Sequence, residues 1–378
     1  MRLYLDAQQA QERPFTRGLP RYVTNHAAAL VERNDVVCRV ALDPTSHVPR
    51  RLHEALDGTK LRCVNELEEF ESARIDGQIA YHLMSPFHWT LPLDRNIPVW
   101  AVDSAVPLVA TLYDLIPLSD PERYLLPPFD RIYQSRLALV ECADLVLAIS
   151  QHVAQEAMDQ LGIAESRIAV IGAGYDPYFA EPPAEHTAAA ERPSWIDRPF
   201  ALTVAYSDPR KNTAMLIRAW AELPEQTRHA HQLVVVGDLT NHGTGRVLDE
   251  LARDVGLSPS DVVFPGPVDD TTLRWLYQHT RVLVCPSLVE GFGLPVIEAC
   301  AAGAVAITSN TTSLPEILAW EPASFDPRSV DDITGVLERA LSDSSFRSEL
   351  ALVCASAAER FTWDAVAERT ADATCSLA

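Results

Sequence analysis

No run of eighteen apolar residues occurs in this 378-residue chain, so no segment is expected to cross a membrane as a helix. The opening MRLYLDAQQAQERP has neither the basic start nor the long apolar core of a secretory signal and is read as a first strand, Leu3–Asp6. No C-x-x-C pair occurs. The seven cysteines (Cys38, Cys63, Cys142, Cys285, Cys300, Cys354, Cys375) are odd in number and scattered, which argues against a disulfide framework and reads as reduced, small apolar residues of a cytoplasmic protein. The 11 histidines show no metal-ligand spacing and no D-x-D motif occurs, so no metal site is expected. Positive charge is also scarce: Lys and Arg total 31 against 52 Asp and Glu, a net charge of −21. Residues 1–190 hold 16 basic and 26 acidic residues, and residues 191–378 hold 15 and 26. Both halves therefore repel a polyanion, and nucleic acid is not an expected partner. Arg13, Arg17 and Arg21, or Arg50 and Arg51, leave room for a weak peripheral contact at the inner face of a membrane; solvated surface is the alternative reading.

What the chain has is a βα rhythm. Short, nearly continuous apolar runs predict strands at Leu3–Asp6, Val36–Ala41, Ile79–Met84, Leu108–Leu112, Leu145–Ile149 and Ile168–Ile171. Five more follow at Ala201–Ala205, Leu233–Val236, Val262–Phe264, Val282–Cys285 and Ala304–Thr308. Runs of that kind suit parallel strands covered on both faces. Helical segments lie between them: Val23–Glu32, Pro127–Glu141, Val153–Leu161, Ala214–Ala221 and Asp270–His279. The fold class is α/β with parallel sheets. The length favours two domains, and PYFAEPPAEHTAAAERP, Pro177–Pro193, is the clearest break. The expected division is 1–180 and 194–360, joined by a linker at 181–193. Ligands of doubly wound sheets bind at the carboxyl ends of the strands, so a cleft between two facing sheets is the expected site.

The most informative segment is Ser287–Glu316, SLVEGFGLPVIEACAAGAVAITSNTTSLPE. Glu290 and Glu298 lie eight residues apart, with Gly291, Gly293 and Pro295 between them. An apolar strand runs into a glycine-rich turn, and Pro295 suits the first turn of a helix that Gly303 stops. A helix start directs backbone N–H groups and a positive dipole end at one spot, which attracts phosphate. Two carboxylates beside an anion site make sense if they accept hydrogen bonds from sugar hydroxyls. The pattern points to a nucleotide sugar; a strand–turn–helix with packing glycines accounts for the glycines but not for the acids.

This block resembles the E-x7-E signature of retaining GT-B glycosyltransferases of the GT4 type, a fold of two facing Rossmann-like domains. Further resemblances run along the chain to Ala367. Pro209-Arg-Lys-Asn212 resembles the family's diphosphate clamp, in the form common among bacterial mannosyltransferases; Arg grips phosphate as a fork and Lys as a point charge. Asn212 or Thr213 is a candidate cap for the helix that follows. Gly237 and Asp238 end a strand as in the family, and Pro265-Gly-Pro-Val268 matches the loop that presents backbone to the nucleotide base, here around Val268. By the same resemblance Glu290 faces the donor sugar, the amides from Gly291 through Phe292 and Gly293 to Leu294 meet sugar and phosphate, and Glu298 holds the ribose. Phe292 is either a wall of the site or core, and Glu316 is read as structural.

The first half carries weaker marks. Thr16-Arg-Gly-Leu-Pro-Arg-Tyr22 resembles a loop whose glycine approaches the donor phosphate, but Pro20 replaces the second glycine and has no N–H to offer. Gly18 is left as a phosphate contact or a turn glycine. Leu112-Tyr-Asp-Leu-Ile-Pro-Leu118 resembles the family's HDLIPL segment with Tyr113 in place of His; Asp114 would face the donor sugar or the acceptor, or serve as a cap. Ser150 either meets phosphate or caps a helix. Phe361–Ala367 resembles the last helix, which returns to the first domain (361–378), with Trp363 a packing anchor.

The resemblance implies metal-independent transfer of a hexose, GDP-mannose being the favoured donor, to a hydroxyl of a saccharide or lipid-linked saccharide acceptor, with no other cofactor. Glu290, Arg210, Lys211 and Asp114 are the implied catalytic set. UDP- and dTDP-sugars are alternative donors. A phosphorylase is disfavoured by length and by the lack of a cofactor-lysine signature. A nucleotide-sugar-binding regulator or scaffold is the non-enzymatic alternative.

Overall fold

The computed structural model describes residues 2–12, 18–43, 46–56, 61–62, 79–87, 106–181 and 192–377. The chain divides into two compact units, Met1–Gly174 with Phe361–Ala378, and Tyr175–Arg360. Residues 182–191 of the expected linker lie outside the described residues, as do Arg13, Thr16 and Arg17.

The first unit is built on seven parallel strands: β1 (Arg2–Asp6), β2 (Val37–Ala41), β3 (Leu61–Arg62), β4 (Ile79–Leu83), β5 (Leu108–Leu112), β6 (Leu145–Ala148) and β7 (Ile168–Val170), in the order β3-β2-β1-β4-β5-β6-β7. Leu5 pairs with Val40 on one side and His82 on the other. The winding therefore reverses at β1/β4. Helices α1 (Gly18–Glu32), α2 (Arg50–Leu56), α3 (Phe129–Cys142) and α4 (Gln151–Leu161) supply the covering layers. Helix α1 begins five residues before the expected Val23, because a proline in the first turn costs no intrahelical bond.

The second unit repeats the plan with β8 (Phe200–Val204), β9 (Gln232–Val236), β10 (Val262–Gly266), β11 (Val282–Cys285), β12 (Ala306–Ser309) and β13 (Ser324–Phe325), in the order β10-β9-β8-β11-β12-β13 and all parallel. The reversal falls at β8/β11. Its helices include α5 (Pro177–Ala180), α6 (Thr213–Ala221), α7 (Thr244–Asp254), α8 (Asp270–His279), α9 (Leu294–Ala301), α10 (Val330–Ser342) and α11 (Ser344–Arg360). Strands β4, β5, β6, β8, β9, β11 and β12 are buried along nearly their whole length, as their uninterrupted apolar runs require.

The last helix, α12 (Trp363–Cys375), belongs to the first unit. Trp363 is buried and meets the Tyr22 ring edge-on at 4.8 Å, and Thr370 shares a 2.9 Å hydrogen bond with His26. The packing role read for Trp363 is the one it has. Two short edge strands, β3 and β13, are additions to the sequence reading.

Candidate active site

The loop between β11 and α9 is built before its side chains act. Gly293 caps α9 with φ +121°, and a Cβ there would come within 2.7 Å of Leu314 Cδ2, so glycine is needed. Hydroxyls from the end of β12 and the tract after it suspend the loop. Ser309 Oγ donates to Ser287 O (2.5 Å), Thr311 Oγ1 to Leu288 O (3.1 Å), and Ser313 Oγ reaches both Glu290 O (2.9 Å) and Phe292 O (2.8 Å). The Glu290 amide donates to Thr312 Oγ1 at 3.0 Å. Thr312 has φ +54°, a costly conformation for a β-branched residue; the cost is accepted where a hydroxyl must point at the Glu290 backbone. None of these four residues was singled out from sequence. The only signal available was a run of hydroxyl residues directly after a strand.

Glu290 is the centre of the site. It is 7% exposed, with Lys211 Nζ at 2.5 Å and Arg210 Nη1 at 3.1 Å. Arg210 Nε pairs with Asp208 Oδ2 at 2.7 Å, and the Arg210 carbonyl accepts from the Leu288 amide at 2.7 Å. Burial works to raise the Glu290 pKa, but Lys211 and Arg210 outweigh it and hold the carboxyl below its ordinary range. The acid read as a sugar ligand and the cations read as a diphosphate clamp thus form one ion-paired cluster. Burial, with the Glu290 charge adding, pushes the Cys285 thiol up to about 11, so it stays an inert thiol at neutral pH.

Asn212 takes the residue position before α6 but does not cap it. Its φ is +56°, and its side-chain amide donates to Pro286 O (3.1 Å) and Pro327 O (2.7 Å). It ties the Arg-Lys turn to the Glu290 loop instead, and Asn tolerates this backbone better than most residues.

Glu298 lies inside α9, also 7% exposed, and its Oε2 accepts from the Tyr277 hydroxyl at 3.1 Å. Tyr277 was not identified from sequence; it shares the buried face of α8 with Leu273 and Leu276, where an aromatic reads as core. Phe292 is buried as well. Gly237 ends β9 with φ +139°, and a Cβ would stand 1.7 Å from Ala205 O, so close backbone approach alone requires it. Val268 lies half-buried between β10 and α8.

In the first unit Asp114 and Ser150 follow the carboxyl ends of neighbouring strands β5 and β6. Asp114 Oδ1 accepts from the Ile116 amide at 3.1 Å. Ser150 caps α4, accepting from the Val153 amide at 3.1 Å. Tyr113 donates to Met84 O at 2.6 Å. Gly18 opens α1 at φ +59° with open space where a Cβ would point, which suits a turn glycine equally well. Among the described residues no group of three or more His, Cys, Asp or Glu is arranged to hold a metal.

A pair of doubly wound parallel sheets, one carrying a strand–glycine turn–helix with buried, cation-bound Glu290 and buried Glu298, is the architecture expected of the GT-B glycosyltransferases, and comparison with known proteins agrees on the fold and the family. The Glycosyl transferases group 1 family matches residues 188–360 and Glycosyltransferase Family 4 matches residues 16–179. An O-antigen chain mannosyltransferase B of Escherichia coli is 30% identical over 70% of this chain and 69% of its own. A serotype-specific mannosyltransferase WbdA of the same organism is 39% identical over 68% of this chain and 32% of its own, so the chain spans about a third of that relative's length. In fold it matches sucrose-phosphate synthase from Thermosynechococcus elongatus (TM-score 0.68, 20% identity, 100% and 99% of the two chains) and Anabaena HepE in complex with UDP and glucose (0.69, 18%, 99% of each). The chain belongs to the family 4 glycosyltransferases. Its fold is that of the GT-B glycosyltransferases.

Proposed function

We propose that this chain transfers mannose from GDP-mannose to a hydroxyl of a saccharide acceptor during surface polysaccharide synthesis, with retention at the anomeric carbon. The observation that carries the reading is the Arg210–Lys211–Glu290 cluster beside the start of α9. As the bond between sugar and diphosphate breaks, negative charge grows on the leaving group. Arg210, Lys211 and the Gly291–Leu294 backbone stabilise that charge, a role that needs no metal. Glu290 holds the sugar and the positive charge developing on it. Glu298 accepts from the ribose hydroxyls, and Asp114 addresses the sugar or the acceptor. The mannosyl assignment is supported by the names of the O-antigen relatives and by the PRKN and YDLIPL segments. A lipid-linked acceptor and a cytoplasmic site of action, peripheral at the inner membrane face, belong to the same reading; no helix among the described residues is long and apolar enough to cross a membrane.

The test is a thermal-shift panel of GDP, UDP, dTDP and ADP with their common sugar conjugates. A ligand at a hundred times its dissociation constant adds about 2.7 kcal/mol of stability. Stabilisation by GDP and GDP-mannose alone is expected. Stabilisation by a uridine or thymidine nucleotide would overturn the mannose donor and keep the transferase, an outcome to which the UDP complex of HepE lends weight. No stabilisation by any nucleotide would remove the donor site.

A further inference from the structure

Helix α5, the first of the second unit, is fastened to α8 by three contacts. The Arg274 guanidinium lies 4.3 Å over the Tyr178 ring and its Nη1 donates to Tyr178 O at 3.3 Å, while the Tyr178 and Thr271 hydroxyls lie 3.2 Å apart. Phe179, fully buried, meets Tyr277 edge-on with ring centroids 5.4 Å apart. Tyr277 is fully buried as well, and its hydroxyl donates to Glu298 Oε2.

A glutamate has three rotatable side-chain bonds, so a carboxylate that must accept from two vicinal hydroxyls needs something to fix its plane. A buried phenol wedged by another ring has almost no freedom of its own, and its hydrogen bond to a carboxylate is charge-assisted and directional. We infer that Tyr277 is a positioning residue for Glu298 and, through it, sets the preference of the site for ribonucleotides over 2′-deoxyribonucleotides. The inference rests on Glu298 being the ribose acid, as proposed above. A site built to pair with a hydroxyl discriminates against the analogue lacking it because its own polar group is then buried unpaired; a carboxylate held less firmly in one plane loses part of that penalty. Phe179 contributes by closing the space into which the Tyr277 ring would turn, so the helix that follows the crossover from the first unit participates in reading the nucleotide.

The experiment is calorimetric titration of the full chain with GDP and with 2′-deoxy-GDP, for the wild type, Tyr277→Phe and Phe179→Leu, with melting temperatures recorded for each. The wild type is expected to prefer GDP. Tyr277→Phe should lower that preference about tenfold, equivalent to about 1.4 kcal/mol, mainly by weakening GDP and with little change for 2′-deoxy-GDP. Phe179→Leu, which keeps the hydroxyl, should lower it about threefold and stands in should the tyrosine variant not fold. A purely packing role for Tyr277 would lower the melting temperature and weaken both ligands equally, and that result overturns the inference. A wild type that prefers GDP beside variants that keep the whole preference overturns it too, leaving Glu298 as the ribose acid. A wild type with no preference overturns the ribose role of Glu298 and the inference together.

Discussion

At the residue scale the balance of charge around Glu290 decides what each substitution does. Lys211 and Glu290 are both nearly buried, and a buried ion pair is costly to break because the surviving charge is stranded. Glu290→Ala should therefore destabilise the second unit by about 3 kcal/mol, whereas Glu290→Gln, which keeps hydrogen-bonding atoms near Lys211, should cost less than half as much; urea titrations of the two variants check this. Activity should separate differently. Lys211→Ala removes charge where the leaving group develops it and should lower turnover about a hundredfold, while Glu298→Ala should weaken nucleotide binding at least about tenfold, the price of a lost charge-assisted hydrogen bond. Steady-state kinetics that gave wild-type values for both would contradict the assignment. Part of this was legible in the sequence: two acids in an apolar setting and an Arg-Lys pair at a strand end are chemically conspicuous. The direct pairing of Glu290 with both cations was not, because they lie 80 and 79 positions earlier in the chain and sequence holds no distance.

At the scale of elements, the strands were legible because burial on both faces forces continuous apolar runs, and every such run became a strand within two residues of its expected ends. The edge strands β3 and β13 were not, each being two residues long. Nor was the hydroxyl tract Ser309–Ser313, since side-chain bonds to backbone carbonyls leave no periodic trace. That tract should matter to the site more than to the fold. Ser313→Ala removes the donor shared by the Glu290 and Phe292 carbonyls and should cost about 1–2 kcal/mol together with a measurable loss of nucleotide affinity. Gly237 makes the opposite case. Gly237→Ala forces a Cβ against the Ala205 carbonyl, where neither backbone can retreat, and should destabilise by about 3 kcal/mol with folded yield falling accordingly. Geometry thus requires glycine at this position for packing, whatever the ligand.

At the scale of the whole molecule the two units carry different acid sensitivities. In the first unit His26 and His82 are fully buried with ring centroids 5.6 Å apart. Burial, and for His26 the neighbouring His82, holds the His26 pKa far below normal, and burial alone lowers His82 to about 3. An unfolded chain takes up these protons near pH 6.5 and the folded chain does not, so each histidine subtracts about 1.4 kcal/mol of stability per pH unit as pH falls below 6.5. Asp6 works in the other direction. Burial raises its pKa to about 7, against the opposing bonds from Gln8 and the charge of Arg136; it is protonated in the folded chain while the unfolded carboxyl remains charged, so stability is gained as pH falls from 7 towards 3.8. Among these three groups, two losses against one gain leave a fall of about 1.4 kcal/mol per pH unit between about pH 6.5 and pH 5. Asp6→Asn should be more stable than wild type at pH 8 and should fall more steeply on acidification, as urea titrations across that range would register. Glu290, whose pKa is depressed, adds stability that is lost only below its unfolded value of 4.5 and does not enter this window.

The central claim is hexosyl transfer at the Glu290 cluster, and the most direct measurement is nucleoside diphosphate release with product analysis by proton NMR. The chain would be supplied with GDP-mannose, UDP-glucose or dTDP-rhamnose and a mannose-terminated oligosaccharide. Acceptor-dependent release from GDP-mannose is expected, with an α-linked product retaining the donor's configuration and loss of both in Lys211→Ala. Nucleotide binding without release from any donor would contradict it and make the chain a nucleotide-sugar-binding protein.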